Sequence, residues 1–157
     1  MPTGLTVACL LDRLTDDAPR VDRDAAADRL QTVRQLKASL RRDIEWLFNS
    51  KAHREPIPEQ YRDVTRSLAA YGLPDLTGRA LNTQREQADV ALFMEELLQL
   101  FEPRLGSISV YPSGGGGALS RVRFQIAGVL RVDPAPERIV FDSSFDPSSS
   151  YYRVEGE

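Results

Sequence analysis

Residues 97–112 read LLQLFEPRLGSISVYP, and the boundary that decides the fold class lies inside this stretch. Up to Phe101 the apolar residues recur at intervals of three and four, which is typical of an amphipathic helix. Beyond Pro103 they alternate with polar residues, as Ile108 and Val110 do with serines, which is typical of a half-buried strand. Because proline ends a helix, the sequence predicts a helical first half and a β second half.

Two long amphipathic helices are predicted in the first half. One covers residues 30–48, and the other begins at a capping box formed by Thr83 and Glu86 and ends before Pro103. Trp46 lies beside the first apolar stripe, where a large aromatic side chain most often packs at the margin of the core. The two predicted stripes consist of Leu30, Val33, Leu36, Leu40, Ile44 and Leu47, and of Val90, Met94, Leu97, Leu98 and Phe101.

Two shorter helical segments are also predicted. Residues 10–14 place three leucines on one side of a short helix, which suggests a docking arm. A further helix begins after Pro58 and ends at Gly72, which is expected in the left-handed conformation that closes many helices. Its apolar face is predicted to carry Tyr61, Val64, Leu68 and Tyr71.

The second half predicts a four-stranded sheet. Strands are expected at residues 108–110, 122–132, 139–141 and 151–154, with a bulge or bend at Gly128. The predicted fold class is therefore α+β, with helices packed on one face of a small, mainly antiparallel sheet. We expect residues 1–29 to form an N-terminal arm and linker, because residues 15–29 hold few large apolar groups, and residues 30–157 to form a single domain.

The composition disfavours several classes of function. The 157 residues carry 20 Lys and Arg against 23 Asp and Glu, a net charge of −3, so no overall positive field attracts nucleic acid. Cys9 is the single cysteine and His53 the single histidine, so few residues could form a metal site or a histidine-based catalyst. We expect no metal and no cofactor. No apolar run reaches the roughly 20 residues of a membrane span, and a cytoplasmic location is expected.

Two motifs could carry chemistry. The glycines in residues 112–117 lead into a strand without a Lys-Ser/Thr pair, so a flexible hairpin loop is favoured over a phosphate-binding loop. Glu102 could serve as the general acid of a glycosidase, but spacing fixes no partner carboxylate, and Arg104 stands two residues away. With Pro103 between them, these opposite charges are better explained as a rigid, charge-paired corner. No catalytic residue is predicted.

Charged strand residues suggest a protein-binding surface. Arg121, Arg123 and Arg131 are expected on the polar side of a strand, where an acidic partner could bind. The strand at residues 151–154 could offer a free edge to a strand of a neighbouring protein. A solvated sheet face remains the simpler alternative for these residues.

Taken together, several segments resemble the TssE family, the baseplate wedge subunits of type VI secretion systems. That family is itself similar to a wedge protein of contractile phage tails that has been labelled lysozyme-like. The resemblance extends from about residue 5 to residue 154, with five segments in the same order. They are LLDRL at 10–14, LRRDIEWLFNS at 40–50, SL at 67–68 with YGLPDLT at 71–77, FEPRL at 101–105 and FQI at 124–126.

The resemblance implies a structural role in a contractile injection machine. It implies docking through Glu102, Pro103 and Arg104 on the wedge proteins TssF and TssG, with TssK in the same assembly, at the cytoplasmic face of the inner membrane. Contact with the sheath proteins TssB and TssC is expected through the strands at 119–132 and 150–154. The candidate residues there are Arg121, Arg123, Arg131, Tyr151, Tyr152 and Arg153.

The sequence leaves two alternatives open. One is a peptidoglycan-cleaving, lysozyme-like hydrolase that uses Glu102, and the other is a free-standing adaptor that binds a regulator. If the corner only docks, replacing Glu102 or Arg104 with alanine should leave the isolated protein folded and block assembly.

Overall fold

The computed structural model describes residues 9–15, 20, 29–52, 57–58, 60–74, 81, 83–114, 121–133 and 135–156. The helices are α1 (Leu10–Leu14), α2 (Arg29–Asn49), α3 (Arg62–Thr65) and α4 (Gln84–Phe101), with a 3-10 turn at Leu68–Ala70. The strands are β1 (Leu105–Gly114), β2 (Val122–Leu130), β3 (Glu137–Asp146) and β4 (Tyr151–Glu155). The α+β class is confirmed.

The four strands form one antiparallel sheet in the order β1-β2-β3-β4, so each strand pairs with its neighbours in the sequence. Helix α4 packs against β1, and α2 packs against β4. The apolar face of the sheet and the apolar stripes of these helices enclose the core. Its most deeply buried side chains include Leu40, Ile44, Met94, Leu98, Phe124, Ile126, Leu130, Phe141 and Val154.

The start of α4 agrees with the prediction. The Thr83 hydroxyl accepts a hydrogen bond from the Glu86 amide at 3.2 Å, and the Glu86 carboxylate accepts one from the Thr83 amide at 3.0 Å. This reciprocal pair satisfies two amide groups that a helix otherwise leaves without partners. It fixes where α4 begins, and its end at Phe101 also agrees with the sequence.

The helix predicted between Pro58 and Gly72 is wrong in its length and in its buried face. Only the four-residue α3 and the 3-10 turn form there. Ser67 separates them in an extended conformation, and its hydroxyl accepts a hydrogen bond from the Ala69 amide, which competes with helix continuation. The predicted apolar face is largely exposed, with Leu68 at 84%. Gly72 does have the predicted positive φ, at 112°.

The bulge predicted at Gly128 lies on the opposite strand. Gly106 pairs with Val129 and Ser109 with Ala127, so β1 holds one extra residue in this interval. Ser107 absorbs it with a φ of 48°. On the other side of β2, the pairing of Gly128 with β3 continues without interruption.

Several other expectations need correction or fall outside the described residues. Trp46 is 49% exposed and lies 5.1 Å from the Arg42 guanidinium, so it is not a core residue. Strand β1 continues through Pro112 to Gly114, so the predicted hairpin loop begins later than expected. His53, the glycines at 115–117 and most of the predicted linker at 15–29 lie outside the described residues. The division of the chain at residue 29 stays a prediction.

Candidate functional site

Glu102, Pro103 and Arg104 form the turn that joins α4 to β1; we call these three residues the corner. The Glu102 amide still donates to Leu98 in the last turn of α4, at 2.9 Å, and the Leu105 amide donates to the Glu102 carbonyl at 3.1 Å. Pro103 is exposed, whereas the Glu102 side chain is only 8% exposed. The helix therefore passes into the strand within three residues, and the proline ring stands at the outside of the turn.

The two charged side chains of the corner bind each other. Arg104 donates from Nε to Oε1 of Glu102 and from Nη2 to Oε2, both at 2.6 Å. The Arg104 amide adds a bond to the same carboxylate at 3.3 Å. Two parallel bonds from a planar guanidinium hold a carboxylate in one orientation. The predicted charge-paired corner is present, and its charged groups face inward.

Arg104 also connects the corner to α2. Its Nη2 lies 2.7 Å from Oδ2 of Asp43, and its Nη1 donates to the Ser39 hydroxyl at 3.4 Å. Burial alone lowers the pKa of Arg104, but hydrogen bonds and charge from Glu102 and Asp43 outweigh it and raise that pKa. The guanidinium therefore stays charged and holds two carboxylates from different parts of the chain.

A second arginine extends this network to the N-terminal segment. Arg42 donates to Oδ1 of Asp43 at 3.0 Å and lies 2.8 Å from Oδ1 of Asp12 on α1. Ser39 makes a short hydrogen bond to the same Asp12 carboxylate, and the Cys9 thiol donates to it at 3.0 Å. Helix α1 is thus attached to α2 through polar contacts, while Leu10 and Leu14 remain 69% and 75% exposed.

This attachment should depend on pH. Burial alone raises the pKa of Asp12, but hydrogen bonds from Ser39, Cys9 and Arg42, with the Arg42 charge, lower it from 3.8 to about 2. A lowered folded-state pKa gives stability that is present above about pH 4 and is lost as the pH falls through about 2. We expect α1 to detach over this interval, which amide NMR shifts of residues 10–14 would follow.

The control for this titration is Asp12→Asn, which should abolish the pH dependence of the α1 signals. Amide signals from β2 report whether the whole domain unfolds in the same interval. If the α1 signals stay constant from pH 5 to pH 2 in a folded domain, the proposed attachment through the Asp12 carboxylate is wrong.

An aromatic pair supports the corner from the side. Tyr71 packs edge-to-face on Phe101 with ring centroids 5.2 Å apart. Burial raises the pKa of Tyr71, and the negative charges of Asp43 and Glu102 raise it further. The segment that ends at Gly72 therefore packs on the last residue of α4, directly before the corner. Parts of the chain that are far apart in sequence converge on these three residues.

The structure separates the six candidate strand residues. The register places Arg123 of β2 and Arg153 of β4 on either side of Ser144, on the exposed face of the sheet. Arg121 lies next to this face, 3.4 Å from Asp146, and Tyr151 is 44% exposed at the same end. These four residues can contact a partner together.

The other two candidates lie elsewhere. Arg131 follows the end of β2, donates its amide to the Arg104 carbonyl at 2.9 Å and lies over Gly106, so it lies beside the corner. Tyr152 is 3% exposed and packs its ring between Phe48 and Phe145, which removes its side chain from any contact surface.

Sequence reasoning missed the α2 and α1 partners of the corner. Ser39 and Asp43 stand four residues apart and therefore share one face of α2, beside the apolar stripe. This spacing of two small polar residues was the available signal, but it does not name Arg104 as their partner. Within the described part of the chain, no group of three or more His, Cys, Asp or Glu side chains is placed to hold a metal.

The family model described as "Baseplate wedge protein gp25" matches residues 34–135, well over half of the chain. The chain belongs to this family. The matched region of this baseplate wedge protein runs from α2 through the corner and past β2. No curated protein and no solved structure gives a significant match.

Membership in this family gives the role of the protein in general terms. TssE subunits belong to the same family, so the resemblance seen in the sequence is confirmed at that level. The family supplies a structural component of phage-tail-like baseplates. Among the described residues of this wedge protein, no helix combines the length and apolar character needed to span a bilayer.

Proposed function

We propose that this wedge protein is the TssE-type subunit of a type VI secretion baseplate. It docks on the wedge subunits TssF and TssG, in an assembly that includes TssK, and begins the sheath of TssB and TssC. The assembled subunit lies at the cytoplasmic face of the inner membrane. The observation that carries the proposal is the family match, which includes the whole corner.

The contacts of the corner suggest how docking works. Because Glu102 and Arg104 bind each other, and Arg104 also binds Asp43 of α2, they hold the turn from inside instead of reaching toward a partner. Pro103 is left on the surface with its backbone fixed by the ring. A surface that is rigid before binding loses little conformational entropy on binding. The corner therefore supplies a preformed shape, and Pro103 is its exposed part.

The sheath contact is proposed for the exposed face of the sheet. Arg121, Arg123, Tyr151 and Arg153 lie together there, and they suit a partner surface that carries carboxylates. Strand β2 pairs with a strand on each side, so its backbone offers no free edge. Side-chain contact is accordingly the form of binding that this part of the sheet supports.

A bulky substitution at Pro103 tests docking without touching the buried charges. We expect Pro103→Tyr to weaken capture by a TssF–TssG complex about tenfold or more, because an added side chain in a fitted contact costs about 1–3 kcal/mol. Pro147→Tyr, at an exposed proline in the β3–β4 turn, is the matched control and should bind normally. Urea midpoints of both variants should equal that of the unmodified protein. Undiminished capture by Pro103→Tyr would remove the corner from the docking site.

The contacts of Glu102 favour this structural role over a peptidoglycan hydrolase. Both of its carboxylate oxygens accept hydrogen bonds from Arg104, and its side chain is 8% exposed. A general acid must reach the glycosidic oxygen of its substrate, with a second carboxylate across the sugar ring. Asp43 is the neighbouring carboxylate, but it is bound to the same Arg104 guanidinium as Glu102. The two carboxylates therefore do not face each other across a space that could hold a sugar ring.

A further inference from the structure

The outer edge of β4 is occupied by a side chain of α2. The Asn49 amide group accepts a hydrogen bond from the Tyr152 amide at 2.8 Å and donates one to the Tyr152 carbonyl at 2.8 Å. This is the pair of bonds that a residue of an added antiparallel strand would make. Asn49 therefore takes the place of a peptide group of a fifth strand.

Glu45 binds the next outward-directed amide of β4, as an acceptor only. Its Oε2 accepts a hydrogen bond from the Val154 amide at 2.9 Å, and its Oε1 accepts one from the Tyr151 hydroxyl at 2.8 Å. In antiparallel pairing, alternate residues direct their backbone groups to opposite sides. Tyr152 and Val154 are the outward-directed residues of β4, and α2 binds the amides of both.

The fit follows from helix and strand geometry. Residues four apart on a helix are separated by about 6 Å along its axis. Residues two apart on a strand are separated by about 6.6 Å. Glu45 and Asn49 on α2 thus match Val154 and Tyr152 on β4, with the helix running antiparallel to the strand.

The opposite edge of the sheet is closed by a similar arrangement. Glu95 of α4 accepts a hydrogen bond from the Val110 amide of β1 at 3.2 Å. Pro112, two residues further, is directed to the same side and has no amide hydrogen. Each edge of this sheet therefore has a helix carboxylate bound to an outward-directed amide. Unprotected edges of this kind are templates for pairing with other chains.

We propose that Glu45 and Asn49 act as a substitute strand that prevents the free subunit from pairing edge to edge with a second copy of itself. The edge is self-complementary, because in a two-fold antiparallel pairing Tyr152 of each copy faces Val154 of the other. Any strand that joins the sheet at β4 must first displace these two side chains. This inference does not depend on the proposed secretion role.

The test is a concentration series by sedimentation velocity on the double variant Glu45→Ala with Asn49→Ala. The double variant is expected to form dimers, with self-association at least tenfold tighter than in the unmodified protein. The matched control is Arg41→Ala, an exposed residue of the same helix, which should leave the sedimentation unchanged. Hydrogen exchange of the Tyr152 amide should become about tenfold faster in a dilute sample, because its hydrogen bond is lost.

Two further variants test the proposal if the double variant does not fold, and test whether any dimer forms through β4. If the double variant does not fold, Asn49→Ala alone should show the faster exchange and a weaker dimer. Adding Tyr151→Glu to the double variant places a carboxylate opposite Glu155 of the second copy and should restore the monomer. The proposal is overturned if a folded double variant remains monomeric, or if dimers persist unchanged after Tyr151→Glu.

Discussion

Replacing Arg104 with alanine is expected to lower the free energy of unfolding by about 3–5 kcal/mol. The guanidinium binds both oxygens of Glu102 and one oxygen of Asp43. The side chains of Glu102 and Asp43 are only 8% and 18% exposed, so removing Arg104 leaves two negative groups close together with little water. A loss of this size is a large part of the about 5–15 kcal/mol that stabilises a typical domain.

Urea denaturation followed by circular dichroism would measure this loss, with the m-value checked for constancy. Arg121→Ala is the matched control, because its pair with Asp146 is exposed and screened by water, so its loss should leave the free energy of unfolding nearly unchanged. Arg104→Lys should retain part of the stability, since an ammonium keeps the charge but not the parallel bonds. A loss below about 1 kcal/mol for Arg104→Ala would show that the network does not stabilise the fold.

This expected result revises an inference from the sequence. The spacing of Glu102 and Arg104 suggested a corner whose charges could be removed from a folded protein to test docking. The contacts of Arg104 with Asp43 and Ser39 of α2 show instead that Arg104 is part of the fold. Loss of assembly in an Arg104 variant therefore cannot be assigned to docking alone, and Pro103 is the better probe.

Gly72→Ala is expected to lower the free energy of unfolding by about 1.5–3.5 kcal/mol. A β-carbon at this position would lie 2.3 Å from the Ser50 carbonyl oxygen. That oxygen accepts a hydrogen bond from the Leu73 amide at 2.9 Å, so the clash would break a contact between two segments. The φ of 112° adds about 1–2 kcal/mol for any residue with a side chain, and the lost hydrogen bond about 0.5–1.5 kcal/mol.

Two other glycines separate these contributions. Gly114 has a φ of 134°, but a β-carbon there would meet nothing within 4 Å, so Gly114→Ala should show the conformational cost alone. At Gly128 the nearest atom to a β-carbon would be 3.6 Å away and φ lies in the ordinary range, so the steric effect should be small. Equal thermal midpoints for Gly72→Ala and Gly114→Ala would contradict the steric argument.

The fold was predictable where pattern and local chemistry agree. The capping box at Thr83 and the proline at 103 fix both ends of α4, because each acts on backbone groups only a few residues away. The alternating residues of β2 and β3 predicted their buried faces, because successive side chains of a strand point to opposite faces of the sheet. The segment around Ser67 was missed because a hydroxyl that binds a nearby amide leaves no trace in apolar periodicity.

The candidate site was predictable only in part. The pairing of Glu102 with Arg104 could be expected from their spacing, since two residues across a turn lie within reach of each other. Their burial could not, because it depends on Asp43, 61 positions from Arg104. In the same way, the strand at 151–154 has the pattern of an edge strand, yet α2 closes that edge through residues more than 100 positions away.

The order of the strands has a consequence for how the chain folds. Every strand pairs with its sequence neighbour, so the sheet can form as successive hairpins with short loops to close. Such local pairing is typical of faster folding than pairing between distant strands. The contact of β4 with α2 is different, because it joins segments from opposite ends of the domain. During synthesis that contact can form only after β4 has been made, so α2 waits for the strand that it covers until the other three strands are present.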